Sequence, residues 1–488
     1  MHNAGLGSWP ARRAAMSPGR VALIFEGRRV TYAELHVRIA RLAAALRESG
    51  VRRGDRVAYL GPNHPSFVES MFATWALGAI FVPLNFRLTA TEIEYQLDHS
   101  GAAVLISAPG MPPVSAPVTF PADELPAADP IYPDEMVALD DVACILYTSG
   151  TTGHPKGAML THGNLVWNCY NLLVCVDVAG DEVTLVSAPL FHVAALDQCL
   201  LPTFLKGATS VIMPGWDVDA CFDLIAEHRV TWMFGVSTMY AGLSQSPRWA
   251  DADLGSIRCL MTGGASVPEA LIHRYQERGL LFCQGYGMTE TAPGATFLEA
   301  RESREHAGSA GLPVFFADVR CVRPDLTETD PGERGEVLVR GPNVTPGYWN
   351  DPQATAAAFE NGGWFRSGDV AVVDEHGHFR IVDRIKDMFI SGGENVYPAE
   401  VEAAIFEHPS VAEVAVVGVP DPRWGEVGRA FVVPRQGSSL APDDVPAFLR
   451  GRLATYKIPV YVDVVGDLPK TGSNKVRKGP LRSLPLPR

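Results

Sequence analysis

The chain has 488 residues, which is more than one compact core accommodates, so two or more domains are expected. Hydrophobic residues make up 47 % and charged residues 20 %, a balance that excludes a disordered chain. The formal net charge of −14 argues against nucleic acid as the main partner, because that needs a basic footprint, but it leaves room for a phosphate-rich small molecule.

The opening MHNAGLGSWPARRAAMSPGR lacks the apolar core of a secretory signal. The longest apolar run, Met71 to Leu84, is about 14 residues, against the roughly 20 needed to cross a bilayer. Eight cysteines without a CxxC pair predict reduced thiols in a cytoplasmic setting, not a disulfide framework or a cysteine zinc site. No membrane segment is expected, and the sequence leaves a homo-oligomer open.

Thr31 and Glu34 are spaced as a capping box. Leu35, Ile39, Leu42 and Leu46 then line one helical face, which Gly50 closes. A strand at Arg56–Leu60, a helix near Phe67–Leu77 and a strand at Ile80–Leu84 follow. Thr89 and Glu92 cap a helix over Ala90–His99, and Ala102–Ile106 reads as a further strand. Residues 109–133 carry eight prolines and are expected to form a loop between subdomains.

Strands are then predicted at Val142–Tyr147, Val183–Ser187, Ser210–Met213, Val230–Phe234, Ile257–Met261 and Leu280–Gln284, with helices between several of them. This alternation predicts an α/β fold of mostly parallel, helix-covered sheets. From about residue 308 the spacing shortens and glycines become frequent, which predicts a small β-rich subdomain. A boundary is expected near Asp383–Asp387, separating a large domain (1–383) from a smaller α+β domain (384–488). The latter should hold helix Ala399–Phe406, strands Val411–Val419 and Ala430–Val433, helix Asp443–Ala454 and strand Val460–Val465.

The segment Tyr147 to Gly157, YTSGTTGHPKG, packs four aliphatic hydroxyls, three glycines and a lysine into a loop directly after an apolar strand. Exposed backbone amides, the hydroxyls and Lys156 together suit oxyanion binding. It is not a Walker loop, because Pro155 stands where that pattern needs glycine.

This segment resembles the phosphate loop of the adenylate-forming superfamily, which holds acyl-CoA synthetases, peptide-synthetase adenylation domains and luciferases. Further segments resemble the superfamily's motifs in order: PLFHVAAL (189–196), TGGA (262–265), QGYGMTET (284–291), GERGEVLVRGP (332–342), WFRSGDV (364–370), DRIKDMFISGGENVYPAEVE (383–402) and LPKTGSNK (468–475). The resemblance covers residues 20 to 480, about the whole chain. It implies a mobile C-terminal domain and an ATP-, Mg²⁺- and coenzyme A-dependent ligase for a small carboxylic acid.

The same resemblance implies residue roles. Thr148, Ser149, Gly150, Thr151, Thr152 and Lys156 would hold the phosphates. Tyr286, between Gly285 and Gly287, would stack on adenine opposite Gly263, Gly264 and Ala265. Thr289 and Glu290 would serve phosphate and Mg²⁺, with Thr151 as a second metal ligand; such a hard cation prefers oxygen. Asp369 and Arg384 would take the ribose, a geometry one carboxylate can satisfy.

Lys475 would bridge the carboxylate and the α-phosphate, offsetting their repulsion as pyrophosphate leaves. Asn474 precedes it where most relatives have glycine, and asparagine tolerates the left-handed backbone better than most residues. His192 would lie near the acyl carboxylate. Lys386 would be the hinge, and Ser391, Gly392, Gly393 and Glu394 would meet the coenzyme A arm after domain rotation.

The segments expected to line the acyl pocket, Phe191–Leu196, Phe234–Met239, Gly263–Ala265 and Gly285–Ala295, hold no arginine, lysine or aspartate. A neutral acyl tail is therefore expected. The opening GLGSWP with Arg12 and Arg13, the segment Thr161–Cys169 and GYGMTETAPGA resemble bacterial feruloyl-CoA synthetases, which implies a hydroxycinnamate such as ferulate or 4-coumarate. A medium- or long-chain fatty acid remains the alternative acid, and a carrier protein the alternative acceptor.

Overall fold

The computed structural model describes residues 3–132, 135–148, 155–264, 267–385, 387–391, 394–471 and 475–486. The predicted α/β architecture is present. A six-stranded sheet joins 56–60, 80–84, 102–107, 118–121 and 142–148 in parallel, and 156–161 closes one edge antiparallel. A nine-stranded sheet has a parallel centre made of 21–25, 209–212, 183–186, 232–235, 259–263 and 282–287.

Both predicted capping boxes form. The Thr31 hydroxyl accepts from the amide of Glu34, whose carboxylate accepts from the Thr31 amide at 2.8 Å, and Thr89 and Glu92 repeat the exchange. Helix Pro65–Ala76 is buried along its whole length. It joins the two sheets: Trp75 Nε1 donates to Ala143 O in the first at 2.8 Å. Phe72 packs 4.6 Å from Phe204, on the helix that leads into the second.

The proline-rich segment is not entirely loop. Val118–Pro121 forms an edge strand parallel to Ala102–Ser107, a position where proline removes no needed ladder donor. The chain start also holds more structure than expected: helix Trp9–Met16 and the hairpin strands Val21–Phe25 and Arg28–Thr31. Leu6 is fully buried there, and its amide donates to His162 Nδ1 at 3.2 Å.

Residues 318–384 form the expected β-rich unit, in which strands 364–373 and 379–384 pair antiparallel. A last five-stranded sheet follows, built around the long hairpin 411–421/425–434 with its own apolar clusters. The helix expected over 443–454 is shorter, Asp444–Leu449, because Gly451 takes a positive φ of 78° and ends it. No helix among the described residues is long and apolar enough to cross a membrane.

Trp75 sits where both sheets depend on one helix, so Trp75→Ala leaves a cavity and an unpaired Ala143 carbonyl. It is expected to cost about 4 kcal/mol, read in calorimetry as a clear fall in Tm.

Candidate active site

Parallel strands end together at 235, 263 and 287, and a cleft opens beyond those carboxyl ends, where α/β sheets place ligands. It encloses about 1040 Å³ of space open to solvent. Gly263 and Gly285 lie side by side in register, and a Cβ on Gly263 would stand 2.7 Å from the Gly285 carbonyl oxygen. Gly264 takes φ +80°, and a Cβ there would meet the Lys475 Cε and Nζ at 3.0 Å each. The absent side chain is thus what admits the lysine.

Lys475 comes from the C-terminal domain. Its amide donates to Thr471 Oγ1 at 3.2 Å and its carbonyl accepts from the Thr471 amide at 2.7 Å. Neighbouring cations are spent on structure: Lys470 pairs with Glu413 at 2.8 Å and Lys478 with Glu402 at 2.8 Å. Lys475 has no ion pair among the described residues and reaches the cleft. Desolvation there, together with the Arg384 cation, lowers its pKa to about 8, while Asp369 and Glu290 oppose the shift.

On one wall Tyr286 Oη donates to Asp369 Oδ2 at 2.8 Å, and Arg384 Nε meets Asp369 Oδ1 at 3.1 Å. Strands 364–373 and 379–384 place Asp369 directly opposite Arg384. Nearby, Glu290 is buried and accepts from Tyr348 Oη at 2.9 Å. Burial raises its carboxyl pKa above the usual range. The Tyr348 ring carries Lys156 Nζ at 5.2 Å from its centroid, so Lys156, Tyr348 and Glu290 form one chain of contacts. Thr289 lines the cleft beside them.

His192 lines the cleft, and its buried Nε2 has no hydrogen-bond partner among the described residues. Desolvation first, then the Lys475 and Arg87 cations, lower its pKa to about 3, so the ring is neutral at working pH. Leaving such a nitrogen unpaired costs about 1–3 kcal/mol, a penalty a substrate oxygen could remove.

The structure therefore brings together Lys475, His192, Gly263, Gly264, Gly285, Tyr286, Gly287 and Thr289 as cleft lining, with Asp369, Arg384 and Glu290 against it. Thr148 pairs with Lys156 at the base of the phosphate loop. Ser149, Gly150, Thr151, Thr152, Ala265, Lys386, Gly392 and Gly393 lie outside the described residues. Ser391 and Glu394 pair with each other in a hairpin of the C-terminal sheet and do not line the cleft in this arrangement.

Sequence reasoning missed Tyr348, Arg87, Asn63 and Trp216. The Gly347-Tyr348-Trp349 cluster just past GERGEVLVRGP was the available signal for the first. Arg87 corrects the expectation of a lining without arginine, because it comes from a segment not counted there. Arg87 lines the cleft close enough to His192 to help lower that ring's pKa, beside the neutral side chains of Phe234, Met239 and Trp216.

A glycine-lined strand-end cleft with one inserted lysine defines an adenylate-forming enzyme. The AMP-binding enzyme family model matches residues 10–349 and its C-terminal domain model matches 400–475. The chain belongs to this family, in its AMP-forming acyl-CoA synthetase branch. It is 55 % identical to feruloyl-CoA synthases from Amycolatopsis sp and Streptomyces sp, with 99 % of each chain covered.

Among solved structures, it matches o-succinylbenzoate CoA synthetase from Bacillus subtilis in complex with the acyl-adenylate intermediate OSB-AMP. The TM-score is 0.90 at 35 % identity, covering 99 % of both chains. A double mutant of that enzyme bound with its product analogue OSB-NCoA matches with a TM-score of 0.73, covering 98 % of both. The chain thus superposes better on the adenylate complex than on the product-analogue complex.

The Lys475 pKa gives a signed expectation. The ammonium is charged below about pH 8, so kcat/KM for ATP in the adenylation step should hold below that value and fall as pH rises through it. His192, already neutral, should add no limb between pH 5 and 7. A stopped-flow or exchange assay across pH 5–10 checks both expectations.

Proposed function

We propose that this chain joins a hydroxycinnamate such as ferulate or 4-coumarate to coenzyme A, releasing AMP and pyrophosphate. The observation that carries the reading is Lys475 lying against Gly264 in the cleft, between the Tyr286–Asp369–Arg384 wall and His192. In that position one ammonium reaches both a carboxylate and an α-phosphate and offsets their repulsion in the transition state. The nature of the acid rests on the 55 % identity to feruloyl-CoA synthases and on the neutral walls of the cleft.

In the first half-reaction the acid's carboxylate oxygen attacks the α-phosphorus and pyrophosphate leaves. Asp369 and Arg384 take the ribose and Tyr286 the adenine face. Lys156, with Thr148, Ser149, Gly150, Thr151 and Thr152, takes the phosphates. Glu290 has one oxygen committed to Tyr348, and its second suits a hard cation, so Glu290 and Thr151 would hold Mg²⁺. Mg²⁺ when bound neutralises the departing pyrophosphate. Neutral His192 donates a hydrogen bond to the acyl carboxylate and transfers no proton.

In the second half-reaction the coenzyme A thiolate attacks the acyl carbon and AMP leaves. The 1–383 and 384–488 bodies turn about Lys386, withdrawing Lys475 and bringing Ser391, Gly392, Gly393 and Glu394 to the pantetheine arm. Cytoplasm, where ATP and coenzyme A are available, is the matching compartment.

Coenzyme A-dependent AMP release with ferulate, 4-coumarate, octanoate and palmitate in parallel tests the acid. Hydroxycinnamates are expected to exceed both fatty acids by at least about tenfold in kcat/KM, the order of discrimination a shaped apolar pocket delivers. Faster fatty acids would move the assignment to an alkyl pocket. Pyrophosphate release without thioester would make a carrier protein the acceptor.

A further inference from the structure

At the turn of the hairpin that carries Asp369 and Arg384, two segments bring a second set of polar groups together. Glu302 and His306 lie four residues apart on one turn, where the His306 amide donates to Glu302 O at 3.0 Å. Asp374 and His378 lie four apart on the turn joining strands 364–373 and 379–384. The segments are tied beside the cluster by three hydrogen bonds. The Ala310 amide and Ser309 Oγ donate to Phe379 O at 2.7 and 2.9 Å, and the Phe379 amide donates to Gly311 O at 2.9 Å.

The cluster is built around an unsatisfied imidazole. The His378 side chain is 8 % exposed, and neither ring nitrogen has a hydrogen-bond partner among the described residues. Its Nδ1 lies 3.7 Å from Asp374 Oδ2 and its Nε2 lies 3.7 Å from Glu302 Oε2, both beyond hydrogen-bond length. Its ring stacks on His306 with centroids 4.0 Å apart. Asp374 Oδ1 is occupied by the amides of His376 and His378 at 2.9 Å each, which turns Oδ2 toward the histidine. Arg380 borders the same pocket, but its guanidinium is paired with Glu269 at 2.8 Å and donates to Ala307 O at 3.4 Å.

One ligand atom from each of His306, Asp374 and His378 falls within 4.8 Å of the others. Zinc bond lengths of about 2.0–2.1 Å in a tetrahedron set ligand atoms roughly 3.4 Å apart, close to the Nδ1–Oδ2 spacing. Two imidazoles and a carboxylate select a transition ion over Mg²⁺ or Ca²⁺. We propose that His306, Asp374 and His378 form a site for Zn²⁺ or a similar divalent transition ion, distinct from the Mg²⁺ site. His378 binds through Nδ1, and Glu302 orients it from Nε2, the usual arrangement behind a metal-bound histidine. Closure needs only a tilt of His306 off the stacked ring and a solvent molecule in the fourth position.

The bound ion clamps the turn between the strands that carry Asp369 and Arg384 to the turn at 302–306.

The test uses full-length protein stripped with chelator, then titrated with Zn²⁺ and with Co²⁺ as a spectroscopic probe. Wild type is expected to retain one equivalent through gel filtration and to give the visible absorption of four-coordinate Co²⁺. His378→Ala and His306→Ala should lose both signals. Glu302→Gln should weaken binding by about tenfold, and exposed His273→Ala should change nothing. His306 is only half buried, so its variant decides the matter if His378→Ala fails to fold. No retained metal in wild type, or equal affinity in His306→Ala, would overturn the site.

Discussion

The site depends on one contact between two domains: the Lys475 ammonium resting where Gly264 has no side chain. In the proposed reaction the large domain holds ATP and the acid in this cleft, which leaves two anions facing each other. A cation must enter, and it must also be able to leave so that a thiol can approach the same carbon. A lysine borne on a separate sheet satisfies both demands. Its cost is visible in the pKa lowered to about 8, since a buried ammonium without an ion partner is poorly solvated.

Around that contact charge is distributed sparingly. Asp369 is shared by Tyr286 and Arg384, which fixes its orientation. Glu290 is held by Tyr348, under Lys156. Such preorganisation lowers the reorganisation needed at the moment of reaction. The pairs Lys470–Glu413 and Lys478–Glu402 occupy the neighbouring cations of the segment that carries Lys475, whose own ammonium reaches the cleft.

Much of this was legible in the sequence because it is local. The boxes Thr31–Glu34 and Thr89–Glu92 are read within four residues, and apolar runs such as Val142–Tyr147 mark strands inside a sheet. The glycines at 263, 264, 285 and 287 marked the cleft through motif resemblance. What escaped was decided by partners far along the chain. Strand Val21–Phe25 exists because it pairs with 209–212, and Val118–Pro121 because an open sheet edge accepts a proline-bearing strand. Tyr348 reaches Glu290, and His378 meets His306, only once separate segments of the chain are packed. No periodicity in the sequence encodes those meetings.

The most direct measurement separates the two half-reactions in Lys475→Ala. Pyrophosphate–ATP exchange driven by ferulate reports adenylation, and thioester formation from supplied feruloyl-adenylate and coenzyme A reports the second step. Exchange is predicted to fall by a factor of about 10² or more, the scale of losing a transition-state charge contact, while thioester formation stays within a few-fold of wild type. Equal loss in both steps, or unchanged exchange, would contradict it.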